Sequence, residues 1–178
     1  MYNIVPECYI DTMLVNTLVP AGKNERYNHQ HGCFEVSNEM EKRGLKDKFA
    51  VGIIDNDNKK AKYLSSFIEI VNVNNDIKLF QKKDNPQYVI EMNPAIEVWI
   101  LKVCEGEQIN MSEFGLPNDL RSLKRITKSQ STINDERFIN LFLRFKMSKN
   151  ESVLKMMNWI KLLKDKKYQT DINELINA

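Results

Sequence analysis

The protein has 178 residues and a mass of 20.9 kDa, which is enough for one domain with its own hydrophobic core. Its 42% hydrophobic and 28% charged residues, with only six glycines and five prolines, exclude a collagen, a disulfide miniprotein and a disordered chain. A formal net charge of +2 is too small to indicate, by itself, a surface for nucleic acid or membrane.

Short apolar runs predict four strands in the first 104 residues, at 3–5, 49–54, 77–80 and 88–91. Helical spacing of apolar residues predicts helices at 10–18, 34–40 and 60–68. Asn93-Pro94 predicts a fourth helix, with the asparagine as its cap and the proline at its first position. Strand and helix therefore alternate along this part of the chain.

Residues 105–178 show a different pattern. A predicted loop over 105–118 is followed by helical patterns at 120–126, 135–145 and 152–163, with no strand. We therefore predict an α/β fold: an open, mostly parallel sheet with helices on both faces over residues 1–104, and an all-helical extension over 105–178 packed on it.

The three cysteines, Cys8, Cys33 and Cys104, are odd in number and show no CxxC spacing. This usage is typical of reduced thiols and argues against a disulfide or zinc site. No apolar run approaches the roughly 20 residues that a transmembrane helix needs, and the first seven residues lack the basic flank of a secretory signal. We therefore expect a soluble cytoplasmic protein without a membrane partner.

Acidic residues follow the predicted strands. Glu7 comes after the first strand, Asp55 and Asp57 come after the central strand, and Glu97 lies early in the helix after the last strand. Carboxyl ends of parallel strands share one edge of a sheet, and carboxylate oxygens are the ligands that Mg²⁺ prefers. The alternative is that Asp55-Asn56-Asp57-Asn58 forms only a turn.

Two segments carry a resemblance to a known family. Glu7-Cys8-Tyr9-Ile10-Asp11, with Asp-x-Asp after a later strand, resembles the Toprim domain of topoisomerases, bacterial-type primases and small nucleases of the OLD and RloB kinds. The family pattern is Glu-Gly-x-x-Asp, and Cys8 replaces its glycine. The segment from Asn93 to Leu101 is similar to the Asn-Pro-x-x-Glu-x-Trp-x-Leu segment of RloB-like proteins.

The resemblance covers about residues 1–104 and implies a magnesium- or manganese-dependent nuclease. It implies that Glu7, Asp55 and Asp57 hold the metal, and that Glu97 is a further ligand or orients one. Glu7 would then move a proton in cleavage of DNA or RNA, so the catalytic residues are Glu7 and Glu97. The setting implied is phage defence or DNA repair in bacteria, alone or beside a partner ATPase.

Four cations in the predicted helix at 120–126 and just beyond it, Arg121, Lys124, Arg125 and Lys128, fall at i, i+3, i+4 and i+7 and share one face. Such a stripe is typical either of a surface that follows a phosphate backbone or of a solvated helix face.

Four other residues have two interpretations each. His29 and His31 lie in a polar stretch that is either a solvated loop or a phosphate contact or proton donor. Asp11 is either an acid favoured at a helix N-terminus or part of the site. Trp99 has the spacing of a core residue rather than of a base-stacking one.

Two other functions fit the same acids. A Toprim-like scaffold that binds a partner protein or nucleic acid without cleaving it would explain the loss of the glycine at Cys8. A phosphatase or receiver-like protein would use the acids for phosphoryl transfer but leaves the segment from Asn93 to Leu101 unexplained.

Overall fold

The fold is described by a computed structural model for residues 3–56, 61–129, 132 and 134–178. A five-stranded sheet has the order β1-β2-β5-β4-β3. The strands are β1 Ile4–Pro6, β2 Ala50–Asp55, β3 Phe67–Val73, β4 Ile77–Lys82 and β5 Gln87–Met92. β1, β2 and β5 are parallel, and β4 is antiparallel to both of its neighbours. Four of the five strands therefore run in one direction, which confirms the predicted α/β fold with a mostly parallel sheet.

Seven α-helices occur in the described part of the chain. They are α1 Tyr9–Leu18, α2 Cys33–Glu41, α3 Ile96–Gly106, α4 Leu120–Thr127, α5 Glu136–Lys146, α6 Glu151–Lys166 and α7 Ile172–Asn177. Side-chain oxygens of Asp119, Asp135, Asn150 and Asp171 cap the last four, as expected for these residue types. None of the described helices is long and apolar enough to cross a membrane.

The central strand β2 is covered on both faces. A Cβ on Gly52 would lie 3.0 Å from the Met40 sulfur and 3.0 Å from a Val36 methyl, so α2 packs directly on this face. Val51 and Ile53 point to the other face, into a larger apolar cluster that includes residues of α1 and α3. Helices therefore lie on both faces of the sheet, as predicted.

The helices of residues 105–178 share this larger cluster. They contribute fully buried aromatic rings from α5 and α6, namely Phe138, Phe142, Phe145 and Trp159. Trp99 of α3 is fully buried beside them, and its indole Nε1 donates to Ser152 Oγ at 3.0 Å. The core role predicted for Trp99 is confirmed, and the extension packs on the sheet through apolar contacts.

The helix predicted at 60–68 is wrong over its described residues. Only a short 3₁₀ helix forms at Leu64–Ser66, and Phe67–Val73 is the edge strand β3. β3 pairs with β4 from Phe67↔Lys82 to Val73↔Ile77, and a turn follows in which Asn74 and Asn75 have positive φ values of 51° and 59°. The pairing of β3 with β4 outweighs the helical spacing of the apolar residues in this segment.

The predicted cap of α3 is also wrong. The helix begins at Ile96, two residues after Pro94, and the Asn93-Pro94 peptide bond is cis. Asn93 instead accepts a hydrogen bond from Asn56 Nδ2 at 2.8 Å and donates to the Asn75 carbonyl at 2.8 Å. Asn93 therefore joins the end of β2 to the β3–β4 turn. Helix α7 was not predicted at all.

Candidate functional site

Glu7 and Asp55 lie close together at the C-terminal ends of two neighbouring parallel strands. β1 and β2 end side by side, because Pro6 pairs with Ile53 and the Glu7 amide donates to the Ile53 carbonyl at 2.9 Å. The Asp55 amide then donates to Glu7 Oε2 at 3.0 Å. The structure therefore brings together two acids that lie 48 residues apart in the chain.

Asp11 is the third acid at this edge and is completely buried. One carboxylate oxygen, Oδ2, accepts a hydrogen bond from the Cys8 amide at 3.0 Å and so caps the first turn of α1. The other oxygen, Oδ1, is buried without a hydrogen-bond partner among the described residues. Asp11 thus belongs both to the helix N-terminus and to the group of acids, the two interpretations that the sequence leaves open.

Glu97 is the fourth acid. It lies in the first turn of α3, is only 7% exposed, and accepts a hydrogen bond from the Thr127 hydroxyl at 2.6 Å. Helix α3 is itself held to β2, because Asp55 Oδ1 accepts a hydrogen bond from the Ile96 amide at 2.8 Å. Glu97 therefore reaches the same edge of the sheet, and α4 is attached to it through Thr127.

The four acids repel one another. Burial, followed by repulsion from Glu7 and then Glu97, raises the pKa of Asp11 to about 8, against the opposing hydrogen bonds of Cys8. Burial, followed by repulsion from Asp11 and Glu7, raises the pKa of Asp55 to about 9. Because these two pKa values rise so far, the protein without a cation holds protons on Asp11 and Asp55 at neutral pH.

We expect the stability of the metal-free protein to fall as pH rises from about 5 to 9. Unfolded aspartates ionise near pH 4, whereas folded Asp11 and Asp55 keep their protons until about pH 8 and 9. The folded state therefore binds more protons in this window, and each pH unit lowers the free energy of unfolding. Thermal unfolding in EDTA measures this slope.

Mg²⁺ should raise the melting temperature most at the alkaline end of this range, because there the acids need not lose protons to bind it. The Asp11→Asn protein serves as the control and should show a shallower slope. Equal slopes in the two proteins would contradict the assignment of the pH dependence to these acids.

The acids are not arranged as a complete metal-binding site in the described part of the chain. No three His, Cys, Asp or Glu side chains within residues 3–56, 61–129, 132 and 134–178 are placed to hold a metal ion together. Asp57, a predicted ligand, lies outside the described residues. The donor chemistry nevertheless fits Mg²⁺, because all four acids offer hard oxygens and Asp11 Oδ1 is buried without a partner in the described structure.

Cys8 adopts a conformation that does not require glycine. Its φ of −140° and ψ of 177° are extended values open to any residue. Burial, with the nearby charge of Asp11, raises the pKa of its thiol far above the ordinary value. The thiol therefore stays protonated beside the acids, and it is neither a nucleophile nor a thiolate ligand for a metal.

The predicted basic stripe lies on α4 and at its C-terminus. Arg121, Lys124, Arg125 and Lys128 are all exposed. In the part of the chain that the structure describes, none of them forms an ion pair with an acid. Thr127, on the buried face of the same helix, contacts Glu97, so the helix that carries the stripe is attached to the group of acids.

The two histidines pack against Tyr9 at the start of α1. The His29 ring stacks on Tyr9 with centroids 4.2 Å apart and an interplanar angle of 17°. His31 meets both rings edge-on, with its centroid 5.6 Å from that of Tyr9 and 4.7 Å from that of His29. His29 is half-buried and His31 is exposed, so a simple solvated loop does not describe this segment.

Sequence reasoning reached Glu7, Asp55 and Glu97 because each follows a predicted strand. Asp11 carried a signal as well, since it lies one helical turn after Glu7. No sequence signal placed Thr127 or Asn93 near the site, because each contacts a residue distant in the chain. Thr127 contacts Glu97, 30 positions away, and Asn93 contacts Asn56, 37 positions away.

Comparison of this chain with family models, with curated proteins and with solved structures gives no match. The functional inference therefore depends on the residues and contacts described above.

Proposed function

We propose that the protein is a metal-dependent nucleic-acid phosphodiesterase with a Toprim-like site, using Mg²⁺ or Mn²⁺. The observation that carries this proposal is the group of four acids, Glu7, Asp11, Asp55 and Glu97, gathered from the ends of two strands and the first turns of two helices. A buried oxygen of Asp11 has no hydrogen-bond partner among the residues that the structure describes, and this independently supports a cation there. A nuclease also agrees with the resemblance of the segments around Glu7 and Glu97.

A divalent cation would relieve the repulsion that raises the pKa values of Asp11 and Asp55. Glu7, Asp55 and Asp57 would hold it, with Asp11 as a further ligand. When bound, such an ion stabilises charge on a phosphoryl oxygen and lowers the pKa of a water.

The protein's own groups would supply positioning and proton transfer. The Asp55 amide holds the carboxylate of Glu7, which would accept a proton from the attacking water. The Thr127 hydroxyl fixes the carboxylate of Glu97, which would orient the other acids. Because Thr127 lies on α4, the same contact ties the acids to the helix that carries the basic stripe, and this supports DNA or RNA as the substrate. A partner ATPase and a role in phage defence or DNA repair stay predictions from the resemblance.

Cleavage of plasmid and single-stranded substrates in Mg²⁺ or Mn²⁺ tests the proposal. We expect the Glu7→Gln protein to cleave about 10²- to 10⁴-fold more slowly, the usual contribution of a general base. Glu113→Gln, which removes an exposed glutamate outside the site, is the matched control and should retain activity. Equal activity of the Glu7→Gln and wild-type proteins would overturn the role of Glu7.

A non-catalytic scaffold is the second candidate. The observation that favours it is the thiol of Cys8, whose side chain lies close enough to the Asp11 and Asp55 carboxylates for their charges to raise its pKa. The Toprim pattern has a glycine here. If the wild-type protein binds Mn²⁺ but leaves every substrate intact, whereas Cys8→Gly cleaves, then the cysteine blocks turnover and the scaffold is the natural function.

A further inference from the structure

The rings of Tyr9, His29 and His31, here called the ring cluster, are anchored beside Glu7. The Gln30 amide donates to the Pro6 carbonyl at 3.0 Å, and the Gly32 amide donates to the Glu7 carbonyl at 3.1 Å. These two bonds fasten the segment on either side of His31 to the end of β1. The backbone on either side of His31 is therefore held at the end of β1, where Glu7 follows.

The hydrogen bonds of Thr12 are coupled to the position of the proton on the His29 ring. The Thr12 hydroxyl has one proton, which it donates to the Cys8 carbonyl at 2.8 Å. With the hydroxyl proton directed to Cys8, the 3.0 Å contact between Thr12 Oγ1 and His29 Nδ1 is made by a proton on Nδ1; the other tautomer reverses the direction of this contact. Burial, and next the neighbouring His31, lower the pKa of His29, so its ring is neutral near pH 7. The stack of His29 on Tyr9 is therefore an uncharged aromatic surface rather than a fixed cation.

An open groove runs from the ring cluster between α1 and α5. It has a volume of about 900 Å³, and its lining includes one ring of the cluster, His29, with the cations Arg26 and Lys146 and the acid Glu25. Asn134, which precedes α5, also lines it, so the groove lies next to the chain segment that follows the basic stripe. A flexible strand with charged phosphates and aromatic bases has the chemistry for this path.

We propose that the ring cluster stacks an unpaired nucleobase, and that the substrate is single-stranded DNA or RNA. This inference rests on the proposed function and specifies its substrate class. In a duplex, neighbouring base pairs cover each base face, whereas an unstacked base offers its face to aromatic side chains. The exposed ring of His31, packed edge-on against two other rings, offers an aromatic face on which a base can stack. The base would lie against the exposed ring of His31, while the strand follows the groove.

Proton NMR of the histidine rings tests the inference directly. The chain contains two histidines, so every imidazole signal belongs to the ring cluster. A short single-stranded oligonucleotide, titrated in EDTA so that no metal-dependent cleavage occurs, should move the His31 signals upfield, because a stacked base shields them. The duplex of the same sequence should leave them almost unchanged. The His31→Gln protein assigns the signals.

Affinity measured by fluorescence anisotropy in EDTA provides the second readout. We expect His31→Ala to weaken single-strand binding about 10-fold, the usual loss for one stacked base. His31→Phe should restore it, since stacking needs only an aromatic face. Tyr168→Leu is the control: this ring is 62% exposed and packs on Phe49, at the opposite, amino end of β2.

Three results would overturn the inference: equal histidine shifts with single strand and duplex, equal losses for His31→Phe and His31→Ala, or no binding of single strands. These results are separate from the proposed function, which fails if metal-dependent cleavage of nucleic acid is absent. If the protein cleaves duplex DNA and its histidine signals do not shift, the phosphodiesterase proposal stands and the stacking site is rejected.

Discussion

We expect the Asp55→Asn protein to lose its thermal response to Mg²⁺ and to cleave nucleic acid at least about 100-fold more slowly than wild type. Residues that only support a metal ligand cost about 10- to 100-fold when changed, so the loss of a ligand should cost more. Asparagine keeps the oxygen that accepts the hydrogen bond of the Ile96 amide, so the start of α3 should be preserved. What it removes is the negative charge.

The same substitution should make the metal-free protein more stable. Burial, with repulsion from Asp11 and Glu7, raises the pKa of folded Asp55 to about 9, so at pH 8 folding requires this residue to take up a proton, and asparagine removes that cost. We expect a gain on the order of 1 kcal/mol at pH 8 in EDTA, or about 2–4 °C in melting temperature. A gain in stability with a loss of metal response is typical of a functional residue kept at a cost in stability.

Asp171→Asn is the matched control for both measurements. Asp171 is exposed and caps α7 by accepting a hydrogen bond from the Asn173 amide at 2.9 Å, and asparagine caps helices about equally well. It should change neither the metal response nor the activity. If Asp55→Asn kept a full response to Mg²⁺, then Asp55 would not be a ligand and the proposed metal site would be rejected.

Replacement of the four cations of the basic stripe by glutamine should weaken nucleic-acid binding by about 100-fold or more at low salt. Each phosphate contact contributes about 0.7 to 0.9 to the slope of log affinity against log salt. Removal of four contacts should therefore reduce this slope by about 3 to 4. The residues are Arg121, Lys124, Arg125 and Lys128, all of them exposed, so the fold should tolerate the change.

The control removes four other exposed lysines and so changes the net charge equally. Lys42, Lys46 and Lys48 precede β2, and Lys83 follows β4, so all four lie at the opposite edge of the sheet from the acids. If both quadruple variants lose the same affinity and slope, then net charge rather than the stripe governs binding. That result would show that the basic stripe on α4 is only a solvated helix face.

The convergence of Glu7 and Asp55 could be predicted because it follows from two local facts. Each residue ends a short apolar run, and two parallel strands place their carboxyl ends at one edge. The position of Glu97 could be predicted in the same way, although its helix begins at Ile96 and not at the predicted Pro94. The role of Asp57 as a metal ligand stays a prediction, since this residue lies outside the described residues.

Local sequence patterns determined most of the helices, four of the five strands and the role of Trp99, because burial imposes a spacing on neighbouring residues. Tertiary structure alone decided that Phe67–Val73 is an edge strand, that Thr127 holds Glu97, that Asn93 bridges β2 to a turn, and that His29 stacks on Tyr9. The physical reason is that each depends on a hydrogen bond or ring contact between two segments, which are adjacent in the chain for the β3–β4 hairpin and distant for the other three. Such a pairing leaves no pattern in either segment by itself.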